Sequence, residues 1–346
     1  MPAVPAPAKV LISGVNGYVG AWVAAKYLEH GYSVRGTVRS IEKAGKHLYD
    51  TFSKYGDKFE LVEVKDITAK GAFDDAVKGV DIVAHTASPF HFNFKVPEDI
   101  IDPALKGTTS ILESIHAHAP TVKRVVLTAS IVSIWSYFVD KPTVFTEEDW
   151  NDQAVKLVEE KGADAGGAMV YGASKTLAER AAWKFREDNH VSWDLAVINP
   201  PYVYGPPINE VNNPESLGTS QKMLFDILTG AYSTEQYETT DFQYIDVRDV
   251  AEVHVRAAEI EQAGNTRALI SREAVYGQDL LDVANAISPK PYDGIPVGNP
   301  GSTKDKAHAR EVSIEQFKRI YGFELHTAED IISDSIADFK KRGWIQ

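Results

Sequence analysis

The chain has 346 residues, 44% of them hydrophobic, and 36 Lys and Arg against 49 Asp and Glu give a net charge of −13. It contains no cysteine, so disulfide scaffolds, zinc ribbons, iron–sulfur clusters and thiol nucleophiles are excluded. The acidic balance argues against a nucleic-acid partner, whose footprint is basic, and the length allows one or two domains with a core that needs no staples.

The N-terminal stretch, Met1 to Ala8, carries three prolines and no basic region, and reads as a loose tail, not a signal peptide. No apolar stretch approaches the ~18 residues of a membrane helix, so a cytoplasmic protein with no membrane partner is expected. Lys9–Ser13 is a short apolar strand that ends at a glycine, and Tyr18–His30 has helical spacing and stops at Gly31. Strands follow at Ser33–Val38 and Phe59–Val64, a short helix at Ala72–Lys78, and a strand at Asp81–His85. A long helix is expected over Pro103–His118, a strand over Val122–Thr128, a helix over Ala173–Asn189 and a strand over Trp193–Asn199. This alternation, with nearly continuous apolar strands, indicates a Rossmann-type, doubly wound parallel sheet covered by helices on both faces.

Beyond Asn199 the character changes. Pro200, Pro201, Pro206, Pro207 and Pro214 punctuate a loop-rich connection. Tyr244–Glu259 then reads as a strand end and a helix, with further helices near Gly277–Ile287, Ser313–Ile320 and Thr327–Arg342. We therefore expect a dinucleotide-binding domain from 1–199 with a returning segment 241–260, and a smaller mixed α/β substrate-binding domain from 200–240 and 261–346.

Gly14, Gly17 and Gly20 form GxxGxxG between an apolar strand and an amphipathic helix. Chance supplies about 0.1 such matches in a chain of this glycine content, so the context carries the signal. Glycines allow a tight turn and close approach of a pyrophosphate, and the helix N-terminus offers free N–H groups and a partial positive charge. An NAD site would place a carboxylate about 20 residues on. That window instead ends in Arg39 and Lys43, and a guanidinium suits a ribose 2′-phosphate, so NADP(H) is expected. Asp66-Ile67 ends the third strand and is a plausible adenine contact, although Asp66 could equally cap a helix.

Tyr-xxx-Lys occurs twice, at Tyr137/Lys141 and Tyr171/Lys175. Pro142 disfavours helix at Lys141, whereas Tyr171 and Lys175 open a strong helix-forming run and share one face of it. A phenol with a pKa of ~10 lies roughly 4 kcal/mol from ionisation at neutrality. An adjacent ammonium and a bound cationic nicotinamide would each stabilise the phenolate, so Tyr171 could exchange a proton with a carbonyl or alcohol oxygen. Ser130, just past the fifth strand, lies where ligands bind in such sheets and would hydrogen-bond the same oxygen.

Together, Gly14/Gly17/Gly20, Asp66-Ile67, His85-Thr-Ala-Ser88, Ser130, Tyr171-xxx-Lys175 and the segments Asn199–Pro206 and Tyr244–Val250 resemble the extended short-chain dehydrogenase/reductase family over nearly the whole chain. The resemblance is strongest to the dihydroflavonol-reductase-like branch, and within it to fungal NADPH-dependent methylglyoxal and carbonyl reductases, which share His85–Phe90 and Gly36-xx-Arg39-Ser. It implies NADPH-linked reduction of aldehydes and ketones with Ser130, Tyr171 and Lys175 as the catalytic set. It further implies cofactor contacts from Gly14, Asn16, Gly17, Tyr18, Gly20, Arg39, Lys43, Asp66, Ile67, Thr86, Ala87, Ser88, Thr128, Tyr171, Lys175, Pro200, Val203 and Ser220. Two positions depart from the family. Trp135 stands where plant dihydroflavonol reductases carry Asn or Asp, which argues against that substrate. Ala104-Leu-Lys-Gly-Thr108 lacks the asparagine that many members use in a proton relay.

Phe90, Phe92, Phe94, Trp135, Tyr202 and Tyr204 cluster beside these motifs. An aromatic pocket suits hydrophobic carbonyls; of this set Phe90, Phe94, Trp135 and Tyr202, with Ser130, are expected to touch substrate, while Phe92 or Tyr204 belongs to the core. Lys222 is the only basic residue between Gln221 and Thr240, which favours a small neutral carbonyl or alcohol over a nucleotide sugar. His116 and His118 do not face one another, so no metal site is expected, and Glu147-Glu-Asp149 reads as a solvated loop. A monomer or homodimer is expected. The competing readings are a nucleotide-sugar epimerase or dehydratase on the same fold and a non-catalytic dinucleotide sensor.

Overall fold

A computed structural model describes residues 3–88 and 94–346. The elements in chain order are β1 (Lys9–Ser13), α1 (Tyr18–Glu29), β2 (Ser33–Val38), α2 (Ile41–Thr51), β3 (Phe59–Glu63), β4 (Ile82–His85), α3 (Glu98–His118), β5 (Arg124–Thr128), β6 (Thr143–Phe145), α4 (Asp152–Lys161), α5 (Gly167–Asn189) and β7 (Asp194–Asn199). They continue with β8 (Tyr202–Tyr204), α6 (Thr219–Thr229), α7 (Thr234–Thr239), β9 (Asp241–Asp246), α8 (Val247–Glu259), β10 (Thr266–Leu269), β11 (Ala274–Tyr276), α9 (Gly277–Ala286), β12 (Arg310–Val312), α10 (Glu315–Ile320) and α11 (Ala328–Lys341).

Seven parallel strands form one sheet in the order β10-β7-β5-β4-β1-β2-β3. The order reverses between β1 and β4, and the crevice at the carboxyl ends of these two strands is where such sheets bind ligands. The central strands are buried along nearly their whole length, as a sheet covered on both faces requires. On one face Val10, Ile12, Val23, Tyr27 and Val34 pack with Ala251 and Val255 of α8. On the other, Leu11, Val83, Val125 and Leu195 meet Ile111 and Ile115 of α3 and Ala182 of α5. Among the described residues, no helix is long and apolar enough to cross a membrane.

Two expectations change. Ala72–Lys78 is a run of turns, not a helix. Phe73, Ala76 and Val77 do bury with helical spacing, but Gly71 and Gly79, both at positive φ, bracket them too tightly for more than one turn to propagate. The seventh strand, β10, falls within 261–346, the segment expected to belong to the substrate-binding part. It pairs with β7 from Thr266↔Ala196 to Leu269↔Asn199. Asn265, at φ 61, sets this register by accepting from the Leu195 N–H and donating to the Asp194 carboxylate.

The smaller unit is a three-stranded sheet, β11-β9-β8, together with α6, α9 and α11 over a core of Leu224, Tyr237, Phe242, Leu281, Ile332 and Phe339. A separate two-stranded pair brings β12 beside β6, with Arg310 opposite Thr143. Residues 300 positions into the chain thereby reach the rim of the main sheet.

Candidate active site

The loop after β1 folds as the glycine spacing requires. Gly14 sits at φ +68, and a Cβ on Gly20 would come within 2.4 Å of the Gly14 carbonyl oxygen and 2.9 Å of Thr86 Oγ1. Gly17 is the N-cap of α1, makes no side-chain cap, and no acidic residue occupies the first turn. The opening N–H groups of that helix are therefore left for an anion, which fits a dinucleotide pyrophosphate. Asn16 is exposed and shares a small surface cavity with Lys43, His47 and Glu210. The Tyr18 hydroxyl donates to the Gly205 carbonyl at 2.8 Å.

Arg39 is exposed at the turn between β2 and α2. Its guanidinium makes no hydrogen bond or ion pair among the described residues, so it is available to a 2′-phosphate at this sheet edge. Asp66 instead uses its carboxylate locally: Oδ1 accepts from Thr68 N–H at 2.9 Å and from the Thr68 hydroxyl. Those bonds, with a smaller contribution from Arg39, hold it below the usual carboxylate range. Ile67 is half-buried against α3, where a Cβ on Gly107 would touch its Cδ1 at 3.0 Å.

The loop after β4 is tied to the glycine loop. Ser13 Oγ accepts from the N–H groups of Thr86 and Ala87, each at 3.0 Å. Burial pushes His85 down to about 3, so its ring is neutral and Nδ1, 2.8 Å from Ser13 Oγ, can accept the serine proton. Thr128 is held similarly, 2.7 Å from Nε2 of His254, whose Nδ1 lies 2.7 Å from the Val250 carbonyl. Pro200 accepts Ile131 N–H, and Val203 is core.

Ser130 caps the turn after β5, accepting from Val132 N–H at 3.3 Å, and its side chain stands beside the Tyr171 phenol and lowers it. Burial raises Tyr171 to about 12 against the lowering effect of Ser130. In the chain alone desolvation therefore outweighs Ser130, and the phenol holds its proton at neutral pH, where sequence reasoning emphasised phenolate stabilisation. Lys175 Nζ lies 5.8 Å from the centre of the Tyr171 ring and donates to Ser88 Oγ at 3.0 Å. Burial lowers it to about 8, opposed by Glu179 one turn further along α5.

Glu179 is the residue that sequence reasoning missed. Its buried carboxylate accepts from Ser133 Oγ, from Asn199 Nδ2 at 2.9 Å, from Arg267 Nε at 2.6 Å and Nη2 at 3.3 Å, and from Trp183 Nε1 at 3.4 Å. Asn199 Nδ2 also donates to the Ser130 carbonyl at 3.2 Å, and Ser133 Oγ lies 2.7 Å from the same carbonyl. The network thus fastens the Ser130 turn from beneath. Its signal in the sequence was the Lys175-xxx-Glu179 spacing, which puts an acid on the inner face of an alanine-rich helix. Arg267 also donates to the carbonyls of Glu147 and Asp149, and Glu147 accepts from Leu269 N–H and is raised by burial. The segment 147–149 is thus wired into β10, not a free solvated loop.

A cavity of about 360 Å³ opens beside Ser130 and Tyr171. Trp135 and Tyr202 line it, and so does Ser220, expected as a cofactor contact, at the α6 N-terminus. Phe90 and Phe92 lie outside the described residues. Phe94 does not line the cavity; it packs against the Ile100, Met169 and Val170 cluster, because the start of α3 offers it an apolar seat. Tyr204 is core, fully buried with Phe242 and Tyr244. Tyr137, set aside with the Tyr137/Lys141 pair, is not helical but does line the cavity. Arg310 does too, which corrects the expectation that little basic charge stands near the pocket. Lys222, the cation that sequence reasoning considered, is paired with Asp226.

The model of the NAD dependent epimerase/dehydratase family matches residues 10–270. An uncharacterized oxidoreductase of Schizosaccharomyces pombe is 38% identical over 96% of this chain and 97% of its own length. The NADPH-dependent methylglyoxal reductase GRE2 of Saccharomyces cerevisiae is 33% identical over 96% of this chain and 98% of its own. The crystal structure of yeast methylglyoxal/isovaleraldehyde reductase Gre2 complexed with NADPH superposes with a TM-score of 0.85 at 32% identity, covering 97% of this chain and all of that one.

Proposed function

The chain belongs to the NAD dependent epimerase/dehydratase family, that is, to the extended short-chain dehydrogenases and reductases, and on that premise we propose that it is an NADPH-dependent carbonyl reductase that converts aldehydes and ketones, α-dicarbonyls among them, to alcohols. The observation that carries this reading is Ser130 and Tyr171 side by side at the wall of an aromatic cavity, with buried Lys175 near the Tyr171 ring. When bound, NADPH supplies the hydride for the carbonyl carbon. Gly14–Gly20 hold its pyrophosphate, Arg39 its 2′-phosphate, and Lys175 its nicotinamide ribose.

Ser130 donates to the carbonyl oxygen and fixes its direction. Tyr171, protonated at neutral pH, gives its phenolic proton to that oxygen as negative charge develops. The nascent phenolate then faces the Lys175 ammonium, whose attraction is strong in so buried a place. Relatives named for methylglyoxal and for isovaleraldehyde support a small aldehyde or dicarbonyl as substrate.

A panel of aldehydes, α-dicarbonyls and aryl ketones, followed by NADPH absorbance and repeated with NADH, tests the reading. Turnover of several carbonyls with NADPH, and at least ~tenfold lower kcat/KM with NADH, is expected for a guanidinium that recognises phosphate. Absence of turnover across the panel would reject it.

A further inference from the structure

We propose that Arg310 is an anion subsite of the substrate cavity, so that the substrates this enzyme selects carry a carboxylate as well as the carbonyl to be reduced. The inference rests on the carbonyl-reductase reading and names the substrate class within it. β12 delivers Arg310 by pairing with β6, and the Gln243 side chain donates to its carbonyl at 3.2 Å. Its guanidinium lies 4.6 Å above the Trp135 ring and 5.8 Å from that of Tyr137. A guanidinium held over an aromatic ring keeps its N–H edge, the side that binds carboxylate bidentately, for a further partner. Among the described residues that edge has no hydrogen bond or ion pair, although every other cation near the cavity is engaged: Lys222 with Asp226 and Lys175 with Ser88.

A second donor points the same way. Gln221, 4% exposed, lines the cavity, and its Nε2 has no hydrogen-bond partner while its Oε1 accepts from Gly218 N–H. A buried amide N–H without an acceptor is costly, and a carboxylate held in this cavity would supply one. The acidic wall does not oppose this. Asp241 is the only carboxylate lining the cavity among the described residues, and its oxygens are committed to His308 Nδ1 at 2.8 Å and Ala309 N–H at 3.4 Å. Ser130 and Tyr171 line the same cavity, so a keto acid can set its carbonyl against them and its charge against Arg310.

The test pairs each acid with a neutral counterpart: levulinate against 2-pentanone, and para-acetylbenzoate against para-methylacetophenone. The wild type should show higher kcat/KM for an acid than for its counterpart. Arg310→Met should lower that acid-to-neutral ratio at least ~tenfold, and Arg310→Lys, which keeps charge but not the fork, should fall between. Calorimetric titration of the NADP⁺-loaded enzyme with para-ethylbenzoate and para-ethylbenzamide gives a second readout that needs no turnover. Arg310→Met should weaken the benzoate at least ~tenfold relative to the amide. A ratio unchanged in Arg310→Met, or a wild type that rejects both acids, overturns the subsite. If no carbonyl compound is turned over, the reductase reading has failed, and the titration alone decides whether Arg310 binds carboxylate.

Discussion

Replacing Glu179 with glutamine keeps the shape of the side chain but removes the charge on which five donors converge: Ser133 Oγ, Asn199 Nδ2, two nitrogens of Arg267 and Trp183 Nε1. Glutamine offers one acceptor oxygen and turns an N–H₂ toward groups that are themselves donors. The Arg267 guanidinium, 8% exposed, is left as an uncompensated buried charge, which costs ~3–5 kcal/mol. With an unfolding entropy of about 2.1 cal/mol/K per residue, that loss corresponds to a fall in Tm of ~4–7 °C for a chain of this size. The Ser130 carbonyl loses part of its anchorage, so kcat with a good ketone should fall while the Kd for NADPH, set mainly at the glycine loop, changes little. Differential scanning calorimetry on the single variants, Arg267→Met and the double variant closes the cycle. Because an ion pair removed whole costs less than one broken, the double variant should be more stable than the sum of the singles predicts. A Tm drop under about 1 °C for Glu179→Gln, or strict additivity in the cycle, would refute the network.

Three further outcomes follow from the same geometry. Gly20→Ala sets a Cβ 2.4 Å from the Gly14 carbonyl oxygen and should weaken NADPH at least ~tenfold by fluorescence titration with the circular dichroism spectrum retained, since the third glycine serves helix–strand contact. Arg39→Ala should raise KM for NADPH at least ~tenfold and leave that for NADH within about threefold; equal effects would remove Arg39 from the 2′-phosphate. Burial brings Lys175 to about 8, so its ammonium is present below that pH and lost above it. The kcat/KM for reduction of a neutral ketone should therefore fall as pH rises through about 8. Glu179 raises Lys175, so in Glu179→Gln the fall should begin at lower pH, and a profile that stays flat through this range in both enzymes would exclude the lysine.

The parts of the site legible in the sequence are those built from neighbours along the chain. The Gly14–Gly20 loop is read from a strand, three glycines and a helix in one stretch. Tyr171 and Lys175 are read from one turn of one helix, and Ser130 from its place after an apolar strand. Strand edges came within a residue or two because burial on both faces makes β1, β4, β5 and β7 continuously apolar. β10 escaped because its run, Thr266-Arg-Ala-Leu269, is short and half polar, and Arg267 is there to meet Glu179 from 88 positions away. Arg310 joins Tyr137 at one cavity through a three-residue strand pairing that no local pattern announces. Pocket charge counted over a single segment therefore missed the cation that matters. The turn at Ala72–Lys78 shows the opposite failure: the apolar spacing was helical, but glycines at both ends fixed the length.

Turnover by Tyr171→Phe is the most direct measurement of the mechanism. The variant keeps the ring and loses only the hydroxyl, so NADPH binding should stay within about threefold of wild type. Ketone-dependent NADPH oxidation should fall by ~10²–10⁴, the usual contribution of a positioned proton donor. Oxidation of NADPH at a near-wild-type rate with the same ketone would contradict Tyr171 as the proton donor.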